Sequence, residues 1–351
     1  MSSTKARIKD IAQLAGVSIG TVDRVLHDRG EVSDKTRQRV KRILRETRYS
    51  PNIMAQALKS RKNYHIVSLL PEPTKINSYW EKHSEGMEKA VAELQPFPMS
   101  ITEVKFDMQS EDDFQKKSEI VLALKPDGIL LAPIFKSESI AFCKKLSKNR
   151  IPFMFIDGFI DSTGFLAYVG EDVYQSGKVA GQLLDMVTNE EKDILVVNIA
   201  RNLQNVHHLK NRTQGFLNYF EKSGRNRGIK LTISIRDPSM EDVSAEMDRV
   251  LNKFPSIGAI FISGSKSYLI ANYLTEKGLN SINLIGYDLL DVNVRYLKAG
   301  ITRFLIGQRP EEQTYLGIKK LFEYLSVNKV PEKYEYLPVD IVTSENVDFF
   351  L

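Results

Sequence analysis

An N-terminal all-α helix-turn-helix head followed by an α/β body of two doubly wound parallel-sheet subdomains is the fold class this sequence predicts. Three observations lead there. The stretch "AGVSIGTVDRVLHDRG", residues 15–30, breaks a helical apolar period at Gly16 and restarts it after Ser18, as two short helices joined by a tight turn do. Cations crowd the start of the chain: residues 1–63 hold 15 of its 49 Lys and Arg but 6 of its 44 Asp and Glu. From Tyr64 onward, short apolar runs alternate with amphipathic segments, the pattern of parallel strands covered on both faces.

At 351 residues the chain exceeds what one core holds, since single cores rarely grow beyond about 250–300 residues. The opening "MSSTKARIKDIAQLAG" has no apolar stretch of signal-peptide type, and no run approaches the roughly 18 apolar residues of a membrane helix. A cytoplasmic protein without membrane contact is therefore expected. Its single cysteine, Cys143, cannot form an internal disulfide, and "IAFCKKL" puts it on the apolar side of a helix as a buried thiol. The basic head on a mildly acidic body points to a polyanion at one end.

In the head, Ile8, Ile11, Ala12 and Ala15 share one side of a first helix, with Leu14 flanking. Gly16 supplies the turn and Val17 fills the angle. Ser18 caps a second helix whose Val22, Val25 and Leu26 face inward, while Ile19, Gly20, Asp23, Arg24 and His27 lie on the other side. Ser33 is the expected cap of a third helix that buries Val40, Ile43 and Leu44 under a basic surface. In such a head the second helix enters the major groove and the flanking cations neutralise phosphates.

The motifs D-I-A-x-x-A-G-V-S-x-x-T-V-x-R-V-L, V-S-x-x-T-R-x-R-V and Y-x-P-N-x-x-A-x-x-L follow one another between residues 10 and 58. In them the chain resembles the DNA-binding head of the lac repressor (LacI/GalR) family of bacterial transcription regulators. The resemblance implies that Ile19, Gly20 and Arg24 read base edges, and Ser18, Thr21, His27 and Asn52 join the DNA-binding set. Arginine suits guanine, because its planar fork donates to O6 and N7 together; the alternative for Arg24 is a phosphate contact. Ile19 offers an apolar contact and Gly20 none, a departure from relatives with polar residues there. Asp23 stands where the family has serine; it accepts from cytosine or pairs with Arg24 or Arg29. In "SPNIMAQALKS", Ala55 and Leu58 share a helical face, and the resemblance implies a hinge helix whose Leu58 wedges into the minor groove. These assignments divide the chain into a head at 1–50, a hinge helix and linker at 51–63, and an effector-binding body at 64–351.

The body's runs are "IVSLLP", "MSITEVKF", "DGILLAP", "PFMFID", "LAYVGED", "ILVVNIA", "IKLTISI", "IGAIFIS", "INLIGYD" and "ITRFLIG". They are too many for one small sheet. The layout also resembles the family's effector domain, which is periplasmic-binding-protein-like. That resemblance implies subdomains at about 64–162 plus 291–324 and about 163–290 plus 325–342.

Ligands of open parallel sheets sit beyond the carboxyl ends of strands. This selects Pro71 to Pro73, Asp157, Glu171, Asp172, Asp288 and Gln308. The resemblance sharpens Asp157, Arg212 of R-x-x-G-F, Asp288 of G-Y-D, and Gln308. Carboxylates, an amide and a guanidinium can address neighbouring hydroxyls in pairs, which suits a carbohydrate. Tyr79 and Trp80 follow the first strand, where an aromatic face can cover a sugar ring. The alternatives are helix caps for Asp157 or Asp288, a salt bridge between subdomains for Arg212, and a core position for Trp80. Where many relatives end a strand in an N-D pair, this chain has Gly264 and Ser265, so the relatives' ligand does not carry over.

Enzyme chemistry finds little support. His27, His65, His83, His207 and His208 have no metal-ligand spacing, and no phosphate-binding glycine loop is present. No metal and no cofactor are expected. The reading is a homodimeric repressor on a pseudo-palindromic double-stranded operator, controlled by a small carbohydrate effector. Its rivals are a sugar-binding protein without regulation and a sugar-active enzyme fused to a DNA-binding head.

Overall fold

Helical periodicity in the first residues and strand–helix alternation afterwards give two separate units, Met1–Ser60 and Arg61–Leu351. The computed structural model describes residues 8–26, 30–47, 62–74, 78–200, 207–222, 230–236 and 239–351.

In the first unit, α1 (Ile8–Ala15), α2 (Ile19–Leu26) and α3 (Asp34–Glu46) enclose a core of Ile11, Ala12, Ala15, Val22, Val25, Val40 and Ile43, with Ile8, Val17, Leu26 and Leu44 packed against it. Gly16 ends α1 at φ +58°. Its N–H donates to the Gln13 carbonyl at 3.1 Å and the Val17 N–H to the Ala12 carbonyl at 3.0 Å. This is the Schellman turn, which needs a left-handed residue at its corner. Ser18 caps α2: its Oγ accepts from the Thr21 N–H at 3.1 Å. Ser33 precedes α3 as expected, but its hydroxyl donates to Thr36 Oγ1 rather than accepting from an amide.

The second unit runs β1 (Tyr64–Pro71), α4 (Tyr79–Leu94), β2 (Met99–Phe106), α5 (Glu111–Ala123), β3 (Gly128–Leu131), α6 (Lys136–Lys148), β4 (Phe153–Ile156), β5 (Tyr168–Gly170), α7 (Val173–Val187) and β6 (Asp193–Ile199). It continues through α8 (His207–Lys222), β7 (Lys230–Ile235), α9 (Met240–Lys253), β8 (Ile257–Ile262), α10 (Ser267–Glu276), β9 (Asn283–Tyr287) and α11 (Asp291–Lys298). It ends with β10 (Thr302–Gly307), α12 (Pro310–Val327), β11 (Tyr334–Tyr336) and β12 (Asp340–Val342). The strands form two six-stranded sheets, ordered β11-β5-β4-β3-β1-β2 and β12-β10-β9-β8-β6-β7. Every pairing is parallel except β10 with β12.

Alternate residues of each strand feed cores on opposite faces. In the first sheet Val67, Leu69, Ile129, Leu131, Phe153 and Phe155 pack with Phe114 of α5 and Phe142 and Cys143 of α6. On the other face, Gly317 of α12 comes against Leu130 and Ile156. The second sheet sends Leu195, Val197, Ile260 and Leu284 toward α9 and α10, and Ile194, Val196, Phe261 and Tyr287 toward α7 and α8. Burial on both faces explains why these strands read as continuous apolar runs. Cys143 is fully buried, and desolvation pushes its thiol up to about 12.

The crossings between sheets differ from the expected boundaries at 162, 290 and 324. β5 belongs to the first sheet, because Tyr168 and Val169 pair with Phe155 and Ile156 of β4. β10 belongs to the second, because α11 returns the chain beside β9, with Leu305 opposite Gly286. α12 then packs on the first sheet, β11 joins β5 at its edge, and β12 returns to the second sheet. The crossings therefore follow β5, β10 and β11.

Candidate functional site

The head presents the outer side of α2. Ser18, Ile19, Gly20 and Arg24 are exposed and Thr21 and Asp23 half-buried, with Ile19 at 50% exposure despite its apolar side chain. A Cβ placed on Gly20 would find its nearest neighbour, Ser18 Oγ, at 3.8 Å, so backbone approach and not internal packing is what this glycine offers. The site residues His27, Asn52, Ala55 and Leu58 lie outside the described residues, as does Arg29.

In the body, strand ends from both sheets meet in one buried polar cluster. Asp157 follows β4 and Glu171 follows β5. Ser263 follows β8, Asp288 follows β9 and Gln308 follows β10. Arg212 enters from α8 and is 2% exposed. Its Nε donates to Glu171 Oε1 at 2.7 Å, Nη1 to the Ser263 carbonyl at 3.0 Å, and Nη2 to Gln308 Oε1 at 2.6 Å and again to Glu171 Oε1. The guanidinium also covers the Tyr287 ring at 3.8 Å. Gln308 passes the chain on, its Nε2 donating to Asp288 Oδ1 at 2.6 Å. On the first-sheet side, the Tyr79 hydroxyl donates to Asp157 Oδ1 at 2.7 Å, and the Asp157 N–H donates to Gln313 Oε1 at 2.8 Å.

Asp157 and Asp288 both sit in the left-handed region, at φ +64° and +69°, a conformation that costs a non-glycine residue about 1 kcal/mol or more. The amide of Asn293 holds the second of them, donating to the Asp288 carbonyl at 3.0 Å and to Ser265 at 2.8 Å. Arg212 owes its depth to two glycines. A Cβ on Gly177 would lie 2.0 Å from the Arg212 carbonyl oxygen, and one on Gly215 would lie 2.0 Å from that of Tyr174. The helices α7 and α8 thus touch backbone to backbone, which gives the R-x-x-G spacing a physical reason.

Electrostatics follow from burial. Desolvation first, then the neighbouring carboxylates of Asp157 and Glu171, push Asp288 up to about 7 against the pull of Arg212 and Gln308. Asp157 is raised for the same first reason. Burial opposes the Arg212 charge, but Glu171, Tyr287 and Asp288 outweigh it and hold the group above its usual value. An acid raised on folding makes the folded state take up protons, so its contribution to stability falls as pH rises from 3.8 to about 7. Urea unfolding of wild type and Asp288→Asn across that window is expected to show their stability difference declining with pH, then levelling. A difference independent of pH contradicts the raised Asp288.

The cluster unites Tyr79, Asp157, Arg212, Asp288 and Gln308 of the sequence assignment. Neither Asp157 nor Asp288 caps a helix, since Ile160 and Leu290 occupy the following caps. Arg212 does form the salt bridge that was its alternative role, with Glu171. Asp172 departs from the expectation: its Oδ1 accepts from the N–H groups of Tyr174 and Gln175 and so caps α7. Trp80 is 3% exposed, with the His83 imidazole stacked on it at 4.8 Å, which is its core alternative. Pro71 ends β1, and the Glu72 N–H next to it is taken by the Phe106 carbonyl. Sequence reasoning missed Tyr287, Gln313 and Asn293. All three carried a signal, since each lies within five residues of Gln308 or Asp288. Among the described residues no His, Cys, Asp and Glu group has the arrangement of a metal site, and no helix is long and apolar enough to cross a membrane.

Known proteins place both units. The family described as periplasmic binding protein domain matches residues 67–329, and that of bacterial regulatory proteins of the lacI family matches 7–52. The HTH-type transcriptional regulator DegA of Bacillus subtilis is 28% identical over 71% of this chain and 70% of its own length. The ribose operon repressor of Lactococcus lactis is 26% identical over 80% of each. A crystal structure assigned as a LacI transcriptional regulator from Bacteroides fragilis superposes with a TM-score of 0.76 at 29% identity, over 82% of this chain and 99% of that one. With a body of two parallel sheets matched over residues 67–329, the chain belongs to the periplasmic binding protein domain family, and at residues 7–52 it carries the helix-turn-helix head of the lacI family of bacterial regulatory proteins.

Proposed function

We propose that the protein is a sequence-specific DNA-binding repressor whose body binds a sugar or sugar derivative in the Arg212 cluster. One observation carries the proposal: a buried polar cluster drawn from the strand ends of both sheets sits on the same chain as a helix-turn-helix head with an exposed second helix. A ligand taken up among residues of both sheets binds one arrangement of the sheets better than another, and that difference is what an effector needs to shift DNA affinity. The resemblance to a ribose operon repressor supports a sugar as the effector class. The reading includes a homodimer on a pseudo-palindromic operator in the cytoplasm, and it assigns the cluster binding and no catalytic step. A sugar-binding protein without regulation has no use for the α2 surface.

The experiment is selection of DNA fragments by the full chain, then titration of the selected site and a scrambled duplex. Arg24→Ala is expected to cost about 1–3 kcal/mol on the selected site, with little change on the scrambled one. Equal losses on both make Arg24 a phosphate contact. Failure to select any sequence overturns the regulatory reading.

A further inference from the structure

We propose that the cluster accepts a ligand rich in hydroxyl or ammonium donors and rejects sugars bearing a phosphate or carboxylate, and that Glu171 sets this preference. The inference rests on the sugar-binding reading and adds to it the charge class of the ligand.

The argument is a count of donors against acceptors. Arg212 spends four of its five N–H groups on Glu171, Ser263 and Gln308. The amide of Gln308 is given to Asp288, that of Gln313 to the Gln308 carbonyl, and the Tyr79 hydroxyl to Asp157. On the acceptor side, Glu171 Oε2 is buried and has no hydrogen-bond partner, in a residue 2% exposed. An unmatched buried carboxylate oxygen is costly and gains most from an arriving O–H or N–H. A phosphate or carboxylate would bring further acceptors, and negative charge, against that unmatched carboxylate oxygen.

Charge points the same way. Among the described residues of the cluster, the carboxyl groups of Asp157, Glu171 and Asp288 surround the single guanidinium of Arg212. His83 adds no cation, since burial lowers its imidazole to about 3. Its Nδ1 meets Thr314 Oγ1 at 2.7 Å. Glu171 cancels the Arg212 charge that an anionic sugar would need. The adjacent Asp172 has its Oδ1 committed to the α7 cap.

The test is calorimetric titration of the full chain with matched sets: D-ribose and ribose 5-phosphate; D-glucose, glucosamine, glucuronate and glucose 6-phosphate; D-galactose, galactosamine and galacturonate. Binding is expected among neutral and amino members, with anionic counterparts weaker by about 10–100-fold, the worth of a hydrogen bond to a charged group. Glu171→Gln is expected to narrow that ratio by about tenfold or more by releasing Arg212. A uronate or phosphate that binds as tightly as its neutral parent, or a ratio unchanged in a folded Glu171→Gln, overturns the inference and leaves sugar binding intact. If Glu171→Gln fails to melt cooperatively, the wild-type ratio decides alone. No heat from any member overturns the sugar-binding reading itself.

Discussion

Arg212→Met is expected to destabilise the protein by about 3–5 kcal/mol, the usual cost of leaving half of a buried ion pair, and to abolish the ligand response. Glu171 would remain buried without its partner, and Gln308 and the Ser263 carbonyl would each lose a donor. The two effects are separable. A buried pair is often replaced by apolar residues at little or no cost, so Arg212→Met with Glu171→Leu is expected to recover most of the lost stability while remaining blind to ligand. Denaturant midpoints read the first and calorimetry the second. A double variant that regains the ligand response contradicts the role given to Arg212, and a single variant as stable as wild type contradicts the buried pair.

Gly177→Ala is expected to be comparably damaging, although it adds one methyl group and changes no charge. The new Cβ would lie 2.0 Å from the backbone oxygen of Arg212, and a backbone contact cannot be relieved by a rotamer change. The helices α7 and α8 must part, at a cost at or above the about 1–3 kcal/mol typical of overpacking. Because the oxygen belongs to Arg212 itself, ligand affinity should fall with stability. Gly164→Ala is the control for added bulk, since nothing lies within 4 Å of the Cβ position there, although its positive φ makes a small loss expected. Equal effects of the two substitutions contradict the backbone contact.

The head was legible almost to the residue. Its core residues recur at helical spacing, and Gly16 with Ser18 spells a turn whose geometry admits few other residues. The cluster was legible in part, because the carboxyl ends of parallel strands select Asp157, Asp288 and Gln308 whatever the sheet. Within "YVGED" the rule could not say which acid faces the cluster, since Glu171 and Asp172 both follow the strand. The fold decides it by using Asp172 as a helix cap. The crossings were not legible, because a run such as "LAYVGED" is equally apolar beside β4 or opening a new sheet. The edge strands β11 and β12 escaped notice because "YEY" and "DIV" are three residues long, and an edge needs little apolar content.

The central claim is that a ligand in the Arg212 cluster controls DNA binding by the head. Its most direct test is the affinity of the full chain for a selected DNA site, measured by fluorescence anisotropy with and without a sugar that calorimetry has shown to bind. The account predicts a change of about tenfold or more in wild type, which corresponds to about 1.4 kcal/mol of coupling, and no change in the Arg212→Met, Glu171→Leu double variant. A wild-type protein that binds the sugar and holds its DNA with the same affinity contradicts it.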